Sequence, residues 1–256
     1  MGQIVYPPAP FNSHVAREAT ALVQNAYQQF TQGAAWKFEP GYDLLTILHA
    51  KPEGWFAKDE PFGFVARNQA SGAVFVTFRG TKSPEDWLSN ITFPQVEHPW
   101  GMVEKGFSRL YDQCSADVKQ AVAAAQPAPL FVTGHSLGGA LATLATADLT
   151  IANNAPAMYN FASPRTGNID FAKKFDQSVS EKWRVANTED IVTTVPLATL
   201  ELASFHASRL RMILVLATHL GRRLNFEHVG VPINFTTHHG TILDNHKLET
   251  YIEALP

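Results

Sequence analysis

Gly134-His135-Ser136-Leu137-Gly138-Gly139-Ala140-Leu141-Ala142 sets one serine among glycines, directly after the apolar run Leu130-Phe131-Val132-Thr133. A serine at such a strand-to-helix junction suits nucleophilic catalysis. The sharp turn forces the residue into a strained backbone conformation and leaves its hydroxyl projecting free. Small neighbours at Gly134 and Gly138 are what let strand and helix approach closely enough. Leu137, Leu141, Leu144, Ala145 and Asp148 follow at helical spacing, so the strand–turn–helix context is present. The competing reading is a glycine-rich turn with a harmless serine, and the agreement of motif with context argues against it.

A serine hydroxyl is a poor nucleophile at neutral pH, so Ser136 needs a base, and the base needs an acid to orient it. Chains that use this turn run in the order serine, acid, histidine, which confines the acid to positions after 136. Asp148, Asp170 and Asp176 fall on helical stretches, where a solvated face is the simpler reading. Asp190 directly follows a strand-like run and opens the loop to Ile191-Val192; its neighbour Glu189 is the alternative. His14, His49 and His98 precede the nucleophile, and His135 is locked beside it and points away. His206 and His219 fall in a divergent segment. Of His228, His238, His239 and His246, only His246 stands after the final strand-like run and at the mouth of a terminal helix. Ser136 to Asp190 is 54 residues and Asp190 to His246 is 56, room for a crossover unit in each interval. His238, His239, Asp244 and His246 also permit a metal reading. No H-E-x-x-H is present, and loop histidines more often cap turns or pack, so neither metal nor cofactor is expected.

Four ordered motifs carry a resemblance: Phe78-Arg79-Gly80-Thr81, Gly134 to Ala140, Phe161-Ala162-Ser163-Pro164-Arg165-Thr166-Gly167-Asn168, and Asn187 to Pro196. Together they resemble the class 3 lipase family, the fungal-lipase-like branch of α/β-hydrolases. The likeness runs from about residue 62 to the end, with one departure between Leu197 and Leu224. It implies an α/β-hydrolase fold, a central, mostly parallel sheet flanked by helices, and it too places the acid at Asp190 and the histidine just before a C-terminal helix. Acyl transfer also needs donors for the developing oxyanion. The backbone N–H of Leu137, next after the nucleophile, is one. By resemblance Thr81 gives the other through its N–H, its hydroxyl either assisting or satisfying a turn. The resemblance further makes residues 83–95 a lid over the serine, with Trp87, Leu88, Ile91 and Phe93 as its substrate-contacting side chains. As a fixed helix, the same segment would merely pack on the core.

The elements that must position these residues are legible in outline. Asn12 or Ser13 caps a helix in which Val15, Ala19, Leu22, Val23, Ala26, Tyr27 and Phe30 recur at helical spacing. Phe62 to Arg67 and Ala73 to Phe78 flank the turn Asn68-Gln69-Ala70-Ser71-Gly72 as a hairpin. Helix is expected over 106–125, strand over 130–133, helix over 136–151, strand over 157–161, strand over 182–187 and helix over 248–254. This alternation implies a mostly parallel sheet with helices on both faces and reactive loops at the carboxyl ends of its strands.

Composition sets the bounds. A chain of 256 residues with 45% hydrophobic content and no linker-like stretch is expected to form a single domain over 1–256. A net charge of −3 leaves no electrostatic footprint for nucleic acid. The lone Cys114 excludes an intramolecular disulfide framework. Met1 to Pro8 lacks a basic region followed by an apolar core, so no secretory signal is expected, and a cytoplasmic chain and a secreted mature form both fit. Arg211 and His219 interrupt the most apolar window, so no transmembrane segment is expected.

The reading is a serine carboxylic ester hydrolase, first of all a triacylglycerol lipase working at a lipid–water interface. A short-chain or feruloyl esterase, a phospholipase, and a non-catalytic lipase-like interaction protein are the alternatives. Residues 197–224 depart from the family pattern and are expected to be a helical insertion, since they lack Gly and Pro until Gly221. It reads either as a buried extra helix or as a wall of the acyl pocket or second lipid-facing element.

Overall fold

The computed structural model describes residues 10–52, 58–81, 93–196, 225–241 and 243–255. Most of the lid segment and the whole insertion 197–224 lie outside them. Among the described residues, seven strands make the main sheet in the order β1-β2-β3-β6-β7-β9-β11. They are β1 (Tyr42–Ala50), β2 (Glu60–Asn68), β3 (Val74–Phe78), β6 (Leu130–His135), β7 (Ala157–Phe161), β9 (Lys182–Asn187) and β11 (Val231–Phe235). β1, β2 and β3 pair antiparallel, and every pairing from β3 to β11 is parallel. A small second sheet joins β10 (Phe226–Glu227), β8 (Gly167–Asn168), β5 (Gly101–Glu104) and β4 (Gln95–His98).

Parallel strands need crossovers, and helices supply them. α2 (Lys105–Ala125) precedes β6, α3 (Leu137–Ile151) joins β6 to β7, and α4 (Ile169–Ser178) follows β8. These helices bury their apolar faces on one side of the sheet, where Val76, Val132, Phe107, Val118, Leu141 and Leu144 share a single core. α1 (Ser13–Gln32) and α5 (Leu248–Ala254) cover the other side with Ala16, Ala19, Tyr159, Val185 and Tyr251. Asn12 caps α1, its side-chain oxygen accepting from the amides of His14 and Val15.

α3 is not the amphipathic surface helix that its leucine spacing alone suggests. All but one of its residues from Leu137 to Leu149 are buried, and Thr143 and Thr146 satisfy their hydroxyls on the carbonyls four residues back. β1 escaped the sequence reading for a physical reason. Register shifts at Leu44/Thr46 and Leu48/His49 break the alternation of inward and outward side chains that would have marked it. At the opposite edge, β11 carries Pro232.

Candidate active site

β6 delivers Ser136 at its carboxyl end, in the middle of the sheet. Ser136 has φ 59° and ψ −129°, a backbone conformation that costs a non-glycine residue of order 1–3 kcal/mol. Its surroundings over-determine it. The Ser136 N–H donates to the Phe161 carbonyl at 3.0 Å, and its own carbonyl accepts from the Gly139 N–H at 2.8 Å. The glycines are required by space. A Cβ on Gly134 would lie 2.1 Å from the Gly138 oxygen, and one on Gly138 would lie 2.4 Å from the Arg79 oxygen. Leu137 opens α3, so its N–H lies among the first amides of a helix, which have no carbonyl within the helix to bond.

Three side chains from distant segments line up on this serine. Ser136 Oγ lies 2.7 Å from His246 Nε2, and His246 Nδ1 lies 2.7 Å from Asp190 Oδ2. All three residues are buried. An ionised carboxylate only accepts, so Nδ1 carries the proton and Nε2 presents its lone pair to the serine hydroxyl. Two more donors reach Asp190: the Val192 N–H on Oδ1 at 2.9 Å and the Tyr251 hydroxyl on Oδ2 at 2.6 Å. Burial and the neighbouring carboxylate push the Tyr251 phenol well above its ordinary value, so it stays a donor.

The acid and the base stand on loops, and two buried asparagines bind those loops together. The Asn187 side chain donates to the carbonyls of Thr237 (2.9 Å) and Asn245 (3.2 Å) and accepts from the amides of Glu189 (3.2 Å) and Thr237 (3.1 Å). Asn245 donates to the Glu189 carbonyl at 3.3 Å and accepts from the His239 amide at 2.6 Å. Sequence reading missed both asparagines and Tyr251. Tyr251 had a signal, since it stands five residues after the histidine on the helix that carries the chain away. Asn187 stood at the head of the fourth motif without a role of its own, and Asn245 had no signal that separates it from an ordinary turn residue.

Beside the serine, Arg79-Gly80-Thr81 follows directly on β3. Arg79 is a guanidinium with almost no exposure, packed over the rings of Phe30 and Phe62 at 3.9 and 4.3 Å. It donates to the carbonyls of Pro61 (2.8 Å) and Gly80 (2.7 Å) and to Glu60 (2.7 Å). Thr81 follows, half-buried. Phe93 is buried, its ring 6.1 Å from that of Phe226, whereas Trp87, Leu88 and Ile91 lie outside the described residues.

The alternatives stand elsewhere. The Glu189 carboxylate lies 3.6 Å from Nδ1 of the exposed His238. Asp244 pairs with Lys247 and Thr241, each at 2.6 Å. His228 gives its Nε2 to the Thr193 carbonyl at 2.7 Å. No three His, Cys, Asp or Glu side chains among the described residues are grouped to hold a metal ion. Cys114 is buried, its thiol pushed up to about 12 by desolvation, as for an inert core residue.

The family model for class 3 lipases matches residues 75–200, a span that takes in β3, the strained serine and Asp190. The chain belongs to the class 3 lipase family. A secreted mono- and diacylglycerol lipase of Fusarium solani is 36% identical over 140 residues, 52% of this chain and 42% of its own. A chloroplastic/mitochondrial phospholipase A1 of Oryza sativa subsp. indica is 31% identical over 84% of this chain and 58% of its own. Against the first curated relatives it matches, the chain spans about a third to a half of their length. Among solved structures, a Rhizomucor miehei lipase in complex with its propeptide superposes with a TM-score of 0.64 at 22% identity, covering 86% of this chain and 67% of that one. A triacylglycerol lipase whose catalytic centre is a serine protease triad gives 0.61 at 26% identity, covering 72% of this chain and 74% of that one. The fold of this class 3 lipase family member is the α/β-hydrolase fold.

Proposed function

We propose that the chain hydrolyses carboxylic esters of lipids, foremost acylglycerols, through an acyl-enzyme on Ser136. His246 Nε2 takes the hydroxyl proton as Oγ attacks the ester carbonyl, then returns it to the leaving alcohol. Asp190 holds the imidazole in the tautomer that can accept this proton and stabilises the imidazolium. Leu137 and Thr81 supply N–H donors to the oxyanion. Water, activated by the same histidine, releases the acid. The observation that carries this reading is the buried line Asp190–His246–Ser136, with 2.7 Å at both links, ending on a serine at positive φ.

Treatment with an organophosphate should add one label per chain, and mass spectrometry should find it on Ser136. Ser136→Ala should take up no label and lose nearly all turnover of a soluble ester. Label elsewhere, or persistent turnover by the purified variant, contradicts the reading. Phospholipid is the second substrate class, favoured by the phospholipase A1 relative that aligns with most of this chain. Release of fatty acid from the sn-1 position of phosphatidylcholine, at a rate matching that from diacylglycerol, would select it.

A further inference from the structure

Gly80 is the freest residue in the loop that leads to Thr81, and no other residue fits. A Cβ there would meet the Tyr27 hydroxyl at 2.4 Å, Ser136 Cβ at 2.8 Å and the His135 carbonyl at 2.9 Å. Close packing on the nucleophile therefore requires the one residue type whose two backbone dihedrals are least restricted. Something else must fix them. The Gly80 N–H donates to the Tyr27 hydroxyl at 2.9 Å, and the Gly80 carbonyl accepts from Arg79 Nη1 at 2.7 Å. Two consecutive peptide planes are thus held, one by each side chain. In a trans peptide the Thr81 N–H points opposite to the Gly80 carbonyl, so the Arg79 bond sets its direction.

We propose that Tyr27 is a positioning residue: with Arg79 it clamps Gly80 on both sides and so aims the Thr81 N–H at the oxyanion. The inference rests on the reading of Thr81 and Ser136 given above. The polarity of the Tyr27 bonds follows from His135. His135 Nε2 faces the His246 carbonyl at 2.8 Å and must carry a proton. Burial, with the adjacent His246, holds this imidazole neutral, so Nδ1 is a bare lone pair. Tyr27 therefore donates to Nδ1 at 2.9 Å and accepts from Gly80. One chain of bonds runs Gly80 N–H to Tyr27 O–H to His135 to the carbonyl of the base. Through Tyr27, α1 ties the oxyanion loop to the residue that moves the proton.

Tyr27→Phe removes one oxygen and keeps the shape. The test is steady-state hydrolysis of p-nitrophenyl butyrate, normalised to the serines that an organophosphate labels. Phenylboronic acid, which adds to the serine and sets a tetrahedral oxygen in the oxyanion's place, is the companion probe. The labelled fraction should match the parent and KM should stay within about twofold. The kcat should fall by roughly ten- to a hundredfold, and boronate inhibition should weaken by the same factor. A merely structural role would lower the labelled fraction while leaving kcat per labelled serine within twofold, and that result overturns the clamp. So does a rise in KM with kcat untouched. If the variant does not fold, amide exchange in the parent decides: a protected Gly80 N–H supports the clamp, and one exchanging like an open loop amide refutes it. Full turnover by Ser136→Ala would sink the site reading and the clamp together, whereas a parent labelled at Ser136 beside an unaffected Tyr27→Phe sinks the clamp alone.

Discussion

The serine and its partners are held in place by opposite means. Around Ser136 the constraint is space: the contacts of Gly134, Gly138 and Gly80 leave no room for a methyl group, and the backbone adopts its strained angles because nothing else fits. Around Asp190 and His246 the constraint is hydrogen bonding, with Asn187, Asn245 and Tyr251 joining the loops that follow β9 and β11 and precede α5. The elbow should therefore fail when atoms are added, and the loops when polar atoms are exchanged or removed at constant volume.

The largest effect should come from an isosteric change on the loop side. In Asp190→Asn the amide nitrogen can face His246 Nδ1, which leaves Nε2 protonated and unable to accept from Ser136. The kcat should fall by roughly four decades, read on a soluble ester, and about 1–3 kcal/mol of stability should go with it, because the same amide nitrogen cannot accept from the Tyr251 hydroxyl. A loss under tenfold would mean that Asp190 does not set the tautomer.

Next in size is an addition at the elbow. The methyl of Gly138→Ala would sit 2.4 Å from the Arg79 oxygen and 2.6 Å from the Phe78 oxygen, so strand and helix must separate. Displacing the nucleophile by about 1 Å costs on the order of a hundredfold in rate, and overpacking costs about 1–3 kcal/mol of stability. Both appear together in kinetics and denaturant unfolding; normal activity would show that the elbow is not held by space.

Tyr251→Phe is the milder loop test. It removes one of three donors on Asp190 and leaves the buried Asn187 N–H, now bonded to the phenol at 3.2 Å, without an acceptor. About 1–3 kcal/mol of stability should be lost, with a kcat reduction of roughly tenfold. Unchanged unfolding and kinetics would remove Tyr251 from the account of the loops.

The smallest effect concerns pH. Burial, with Arg184 and Arg165 nearby, pushes His228 from 6.5 down to about 2. Between those values the unfolded chain binds a proton that the folded chain refuses, so stability present above pH 6.5 is lost as pH falls. The slope approaches about 1.4 kcal/mol per pH unit for this group. His135 acts in the same direction. Melting temperature should drop between pH 7 and pH 5, and less steeply in His228→Gln. Parallel curves would show that His228 is not the titrating group.

The same contrast explains what could be read from sequence. Sterically held parts leave a mark, because only glycine fits and its spacing is fixed. Gly134 and Gly138 announced the elbow, and the chain order then singled out Asp190 and His246, the pair that the loops bring to Ser136. Parts held by hydrogen bonds leave little, since Asn245 looks like any loop asparagine, and the motif residue Asn187 shows no role, until the loops meet. Arg79 was visible as a motif residue, but its near-complete burial between Phe30 and Phe62 is a tertiary fact. In the main sheet β2, β3, β6, β7 and β9 were legible from their apolar runs, and the long helices from their periodicity. β1 was not, because its bulges erase the period, and the two-residue strands of the second sheet are too short to show one.

Those bulges also bear on how the molecule behaves in a crowd. Among the described residues the main sheet has β1 and β11 at its margins, and a sheet margin is a potential template for another chain's backbone. β1 disturbs its margin with two register shifts, and β11 lacks one amide donor at Pro232. Leu44 and Leu45, each 38% exposed on β1, would otherwise form a sticky rim of the sort that seeds fibres. An irregular ladder denies an incoming strand its regular partners along this margin.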